Sequence, residues 1–96
     1  MLVLVTYDVS CATREGRRRL RWVAKECLNY GQRVQKSVFE CQVDAMQMAA
    51  FRSKLLNIIN EAEDSLRIYR IIEPIEKNRE EIGKISAVDF EDTLIL

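Results

Sequence analysis

No histidine occurs anywhere in this 96-residue chain. That absence excludes Ser-His-Asp and Cys-His catalysis, imidazole–zinc centres and imidazole acid–base chemistry together. Chemistry must come from carboxylates, Tyr, Ser, Lys or a bound metal. Cysteine is scarce: Cys11, Cys27 and Cys41 are widely spaced and form no C-x-x-C pair, which argues against a disulfide framework or a zinc site. With one proline, three glycines and no Gly/Ser/Pro-rich stretch, there is no place for a linker, and residues 1–96 read as a single domain. Long apolar runs are missing too. Met1–Val5 is far short of the ~20 residues a membrane helix needs, and no basic segment precedes it as in a signal peptide. The chain is expected to be cytoplasmic, with no membrane partner.

What is present is a balanced globular composition, 48% hydrophobic and 31% charged. A chain of this size buries only roughly 60–65% of its unfolded surface, so association with a second copy would help it. The net charge of zero conceals an asymmetry. Arg14, Arg17, Arg18, Arg19, Arg21, Lys25, Arg33 and Lys36 outnumber the acids of the first 40 residues, and acids dominate thereafter. A polyanion would be met by the first half.

Leu2–Asp8 is a β-branched apolar run that predicts a strand buried on both faces. Ser10 or Thr13 can cap a following helix, in which Leu20, Val23, Ala24, Cys27 and Leu28 repeat at helical spacing. Gly31 stands where a left-handed C-cap is expected. Two short strands fit within Arg33–Val43, although no Asn-Gly marks their turn. Asp44 and Gln47 suit a capping box ahead of a stripe of Met48, Phe51, Leu55, Ile59 and Ala62. Leu66–Ile72 predicts a further strand, closed by Glu73-Pro74. Ile75–Ser86 reads as loop or a short helical turn, and Val88–Leu96 as an edge strand. The order βαββαβ plus a C-terminal strand predicts an α+β fold with both helices on one sheet face. No spare segment is evident for the other face, so a second copy packing sheet against sheet is the economical cover. Residues 1–72 would form the core, and residues 73–96 a loop and strand for dimer or partner contacts.

Asp8 closes the first strand, directly after Tyr7. It could hold Mg²⁺ or Mn²⁺, which take oxygen ligands and keep several waters, or simply end a strand in a turn. One carboxylate is thin for metal-assisted hydrolysis; a two-fold dimer with both Asp8 residues near its axis would double the supply. Arg17, Arg18 and Arg19, with Arg14, Arg21 and Lys25, cover the outer side of the first helix. They read either as a solvated face or as phosphate contacts without sequence preference; Glu15 and Glu26 are too few to neutralise them. Tyr7, Phe39 and Tyr69 could stack bases on a sheet, but the glycine–aromatic run of RNA-recognition modules is missing, which favours core or dimer packing.

Leu-Val-Thr-Tyr-Asp-Val at 4–9, the arginine-bearing helix, Arg33-Val-Gln-Lys-Ser-Val-Phe-Glu40 and Asp64-Ser-Leu-Arg-Ile-Tyr69 together resemble the CRISPR-associated protein two family over about residues 1–72. The resemblance implies a ferredoxin-like homodimer that serves the CRISPR integrase in spacer acquisition. In such a dimer the two Asp8 residues lie near the two-fold axis and can share a divalent metal. Tyr7, Arg17, Arg19, Arg33 and Phe39 match positions linked to nuclease activity. The expected catalytic set is Asp8, Tyr7, Arg33 and Phe39, with Asp8 as metal ligand. The expected nucleic-acid contacts are Arg14, Arg17, Arg18, Arg19, Arg21, Lys25 and Lys36. Two functions follow from the resemblance: a Mg²⁺-dependent endonuclease acting on single-stranded RNA or duplex DNA, or a non-catalytic dimeric scaffold that binds duplex DNA and bridges the integrase. A free-standing regulatory domain for small ligands is the third alternative, because fold does not fix function.

Overall fold

Alternation along the first strand organises everything else. In the computed structural model, which describes residues 1–84, β1 spans Leu2–Asp8. Its Val3, Val5 and Tyr7 point into the core, while Leu2, Leu4, Thr6 and Asp8 point the other way. This period of two is what a pleated strand imposes.

Thr13, not Ser10, caps α1 (Arg14–Leu28): its hydroxyl oxygen accepts from the Gly16 amide at 3.0 Å. The helix buries Leu20, Val23, Ala24 and Cys27 against the sheet. It ends by tightening, with Asn29 N–H donating to Glu26 and Tyr30 N–H to Cys27 at 3.2 and 3.0 Å. These i→i+3 bonds satisfy the last carbonyls without a left-handed residue. Gly31 therefore does not cap the helix as expected; it opens β2 (Gly31–Gln35). Glycine is needed there for close approach, since a Cβ would lie 1.7 Å from the Glu40 carbonyl oxygen.

β3 (Val38–Gln42) pairs antiparallel with β2 across Lys36-Ser37. None of the non-glycine residues described has a positive φ, so the turn is not one of the primed types usual in tight hairpins. A bulge at Val34 instead shifts the register between Arg33 and Gln35 and adds local twist. The turn is tied to β1 by the Tyr7 amide, which donates to the Ser37 carbonyl at 2.9 Å.

α2 (Ala45–Ile58) opens on the expected Asp44–Gln47 capping box and buries Phe51 and Leu55. Ala62 lies beyond the helix and is exposed; the apolar stripe stops short because Asn60 closes a turn, its side-chain oxygen accepting from the Ala62 amide at 3.0 Å. Side-chain-to-backbone bonds of this kind compete with helix continuation. β4 (Ser65–Ile71) then pairs antiparallel with β1 at the sheet edge, and α3 (Ile75–Asn78) is a single short turn.

The strand order is β2-β3-β1-β4, and both long helices pack on the side of Val3, Val5 and Tyr7. The opposite face carries Leu2, Leu4, Thr6 and Asp8 of β1, opposite Ile71, Tyr69, Arg67 and Ser65 of β4. The expectation that no part of the chain could cover this face is corrected. Residues 73–81 return across its β3 side, where Arg79 pairs with Glu40 at 2.9 Å and Gln42 donates to Glu73 at 3.5 Å. The predicted strand Val88–Leu96 lies outside the described residues. Gly31→Ala drives a methyl group into the β3 backbone and should destabilise the fold by about 1–3 kcal/mol. Urea denaturation should show a lower midpoint at unchanged slope.

Candidate functional site

A buried carboxylate fixes the end of β1 from the helix side. The Asp64 side chain has no exposed surface, and Arg19 reaches it with Nε and Nη2 at 2.8 and 3.0 Å. The Asn60 amide donates to the same carboxylate at 3.0 Å, and the Tyr7 hydroxyl donates to Oδ2. Arg19 also touches Glu63 at 3.3 Å. Burial alone would push the Asp64 carboxyl up, but the donors Arg19, Tyr7 and Asn60 outweigh it and hold the group below the usual carboxylate range. For Tyr7, burial followed by the bond to Asp64 pushes the phenol well above its ordinary value.

Asp8 projects from the other face. It is exposed and sits at the rim of a recess of about 290 Å³ lined by Thr6, Tyr7, Asp8, Ser37, Ser65 and Arg67. Strand register brings these together: Asp8 faces Ser65 and Thr6 faces Arg67 across the β1–β4 ladder, while the Tyr7 amide holds the Ser37 turn alongside. Hard divalent cations require oxygen donors. The recess residues able to ligate, Thr6, Asp8, Ser37 and Ser65, offer oxygen donors, which suits Mg²⁺ or Mn²⁺ in kind, while Arg67 beside them is a cation that cannot ligate. In number they fall short, because no cluster of three or more His, Cys, Asp or Glu side chains forms among the described residues. One copy offers Asp8 alone, so a cation held there would keep most of its water.

Of the four residues expected at a catalytic centre, only Asp8 lies on the open face. Tyr7 and Phe39 are buried on the helix-facing side. Arg33, opposite Phe39 in the register, lays its guanidinium over that ring at 5.4 Å and donates to the Lys36 carbonyl at 2.8 Å. Arg14, Arg18, Arg21 and Lys25 form one exposed stripe along α1, with Arg18 stacked on Trp22 at 5.9 Å. This helix covers the core face of the sheet, so the stripe looks away from Asp8. Arg17 is exposed and donates to the Cys11 carbonyl at 2.9 Å, and Lys36 stands in the hairpin turn. Arg19 is the exception among the helix cations, drawn inward by Asp64. Sequence reasoning missed the joining role of Asp64 and the presence of Arg67, Ser37 and Ser65 beside Asp8. The alternation Ser65, Arg67, Tyr69, Ile71 was a readable signal for β4, but its register against β1 was not.

A four-stranded antiparallel sheet with two helices on one face and a strand-terminal carboxylate on the other defines an α+β protein of the ferredoxin-like class. The chain belongs to the CRISPR associated protein Cas2 family, whose sequence profile matches residues 1–79. It is 55% identical over 96 residues to the "CRISPR-associated endoribonuclease Cas2" of Chlorobaculum tepidum, covering 100% of both chains. It is 52% identical over 95 residues to the "CRISPR-associated endonuclease Cas2" of Halalkalibacterium halodurans, covering 99% of each. The crystal structure of Streptococcus pyogenes Cas2 superposes with a TM-score of 0.81 at 48% identity, over 86% of this chain and 100% of that one.

The Asp64 contacts make stability depend on pH at both extremes. Because the Asp64 carboxyl is held low, its contribution is complete above about pH 4 and is lost as pH falls through its depressed pKa. Because the Tyr7 phenol is held high, its contribution is complete below about pH 10 and is lost as pH rises toward its elevated pKa. Thermal melts across pH should show both limbs. Tyr7→Phe should remove the alkaline limb and move the acid limb to higher pH, since Asp64 loses a donor.

Proposed function

We propose that this chain is a nucleic-acid-acting subunit of CRISPR spacer acquisition that hydrolyses phosphodiesters at Asp8 in a homodimer, in the cytoplasm. The observation that carries the reading is Asp8 itself: an exposed carboxylate, without an ion-pair partner among the described residues, at the rim of a polar recess. The relatives' names support the nuclease assignment. The open face divides into two zones, which supports pairing of copies. Leu4, Tyr69 and Ile71, beside the already buried Leu2, form an apolar zone suited to a second sheet, and the Asp8 end remains polar. Two copies related by a two-fold axis at that end would bring two carboxylates to one cation. A bound Mg²⁺ or Mn²⁺ supplies Lewis-acid polarisation of the phosphodiester and a more acidic water. Asp8 orients that site. Tyr7 and Arg19 act through Asp64 as positioning residues that fix the strand end, and Arg33 and Phe39 hold the hairpin that places Ser37 beside it.

A second reading rests on the α1 stripe. Arg14, Arg18, Arg21 and Lys25 recur on one helix face over roughly 16 Å of axis, on the opposite side of the sheet from Asp8. Such a stripe suits backbone contact with duplex DNA and a bridging role for the CRISPR integrase, with affinity governed by salt. The two roles use different surfaces and are compatible.

Cleavage of single-stranded RNA and duplex DNA should require Mg²⁺ and fall by roughly 10²-fold or more in Asp8→Asn; cleavage undiminished in that variant would remove Asp8 from the mechanism. Reversing Arg14, Arg18 and Arg21 to Glu should weaken duplex binding and flatten its salt dependence while leaving the fold intact. Arg19 is left unaltered in that variant because Asp64 needs it.

A further inference from the structure

We infer that Arg67 is a substrate-binding residue that grips the phosphate group held in front of Asp8. This rests on the phosphodiester-directed reading above and adds the group that makes it electrostatically feasible. A phosphodiester is an anion, and two Asp8 carboxylates would already offset the charge of a divalent cation between them, leaving no net positive charge to draw the substrate in. An adjacent fixed cation supplies that charge. Arg67 is the one basic side chain lining the recess.

Its placement follows from the ladder. Arg67 stands opposite Thr6 and Ser65 opposite Asp8, which makes Asp8 and Arg67 diagonal neighbours on the open face, about 7–8 Å apart. An arginine can easily span that gap to a carboxylate. It does not: no ion pair joins Arg67 to Asp8 or to any other acid among the described residues. The guanidinium turns along the strand instead, its Nη1 donating to the Tyr69 hydroxyl at 3.4 Å. Opposite charges therefore flank the recess without neutralising each other, and its interior is free for a group of matching polarity. The planar fork of arginine matches two non-bridging phosphate oxygens, and Ser37 and Ser65 border the same space. The ligand class is a phosphodiester in a nucleic-acid strand, whether RNA or DNA.

The test uses the full chain with a single-stranded RNA oligonucleotide and with a DNA duplex of the same sequence, in separate arms. Arg67→Ala should reduce cleavage of whichever substrate the protein cuts by about 10- to 100-fold. Its log–log salt slope for binding should shrink by roughly 0.7–0.9, the loss of one phosphate contact. Arg67→Lys should recover the slope but not the cleavage rate, because a point charge lacks the fork. Arg70→Ala, on the same strand but in register with Val3 on the helix-facing side, should behave as the unaltered protein. Asp8-dependent cleavage that is indifferent to Arg67→Ala overturns this inference alone. Cleavage that survives Asp8→Asn overturns the underlying reading and this inference with it. Where the protein binds without cutting, the salt slope decides: a slope unchanged in Arg67→Ala overturns the assignment, and a reduced one supports it.

Discussion

Burying a carboxylate is costly unless its charge and lone pairs are met. Asp64 meets that condition with donors from three separate parts of the chain: Tyr7 on β1, Arg19 on α1 and the Asn60 amide in the α2–β4 turn. These contacts are not interchangeable with apolar packing, because removing any one donor leaves buried charge less well satisfied. They hold the end of β1, the first helix and the start of β4 in one arrangement. Asp8, one residue beyond Tyr7, and Ser65, one residue beyond Asp64, inherit their positions from this junction. The Asp8 end of the sheet is thus set from its back.

The sheet then acts as a partition. On the helix side, Val3, Val5, Tyr7, Phe39 and Cys41 join Leu20, Val23, Cys27, Phe51 and Leu55 in a core without charge. On the open side, apolar residues at one end give way to Thr6, Asp8, Ser65 and Arg67 at the other. The return of residues 73–81 over the β3 side is anchored by Arg79 on Glu40 and by Gln42 on Glu73, and Leu2 on this face is already buried. Tyr69 remains 47% exposed on the β4 side of this face, where a second copy could pack on it. Charge is partitioned in the same way: the cations of α1 look outward from the back, while at the front Arg79 pairs with Glu40 on the β3 side and Arg67 and Asp8 flank the recess at the β1–β4 end.

Periodicity made much of this legible. Apolar spacing located α1 and α2, the Asp44–Gln47 pair marked the start of α2, and β-branched runs marked β1 and β4. These signals are local, because each depends on residues within a turn or a pleat of one another. Gly31 was misread for the same reason. Its role is set by the Glu40 backbone nine residues away, which no local rule contains. The hairpin turn was obscure because a bulge at Val34, not a glycine turn, supplies its twist. Phe39 and Arg33 were legible as noteworthy residues, but their side of the sheet was not.

By itself, then, the amino-acid order located β1, β4 and the two long helices, indicated most of their apolar faces, and established that no imidazole chemistry is available. It also marked Asp8 as the residue ending the first strand. Tertiary structure alone decided that Tyr7 and Asp8 serve opposite faces of a sheet with a particular neighbour on each side. It likewise decided that Arg19 turns inward to Asp64 while its helix neighbours stay in solvent, and that Arg67 stands diagonal to Asp8. The physical reason is distance along the chain. Partners separated by 45 to 59 residues meet only through strand register and helix docking, and neither is written in the spacing of any single segment.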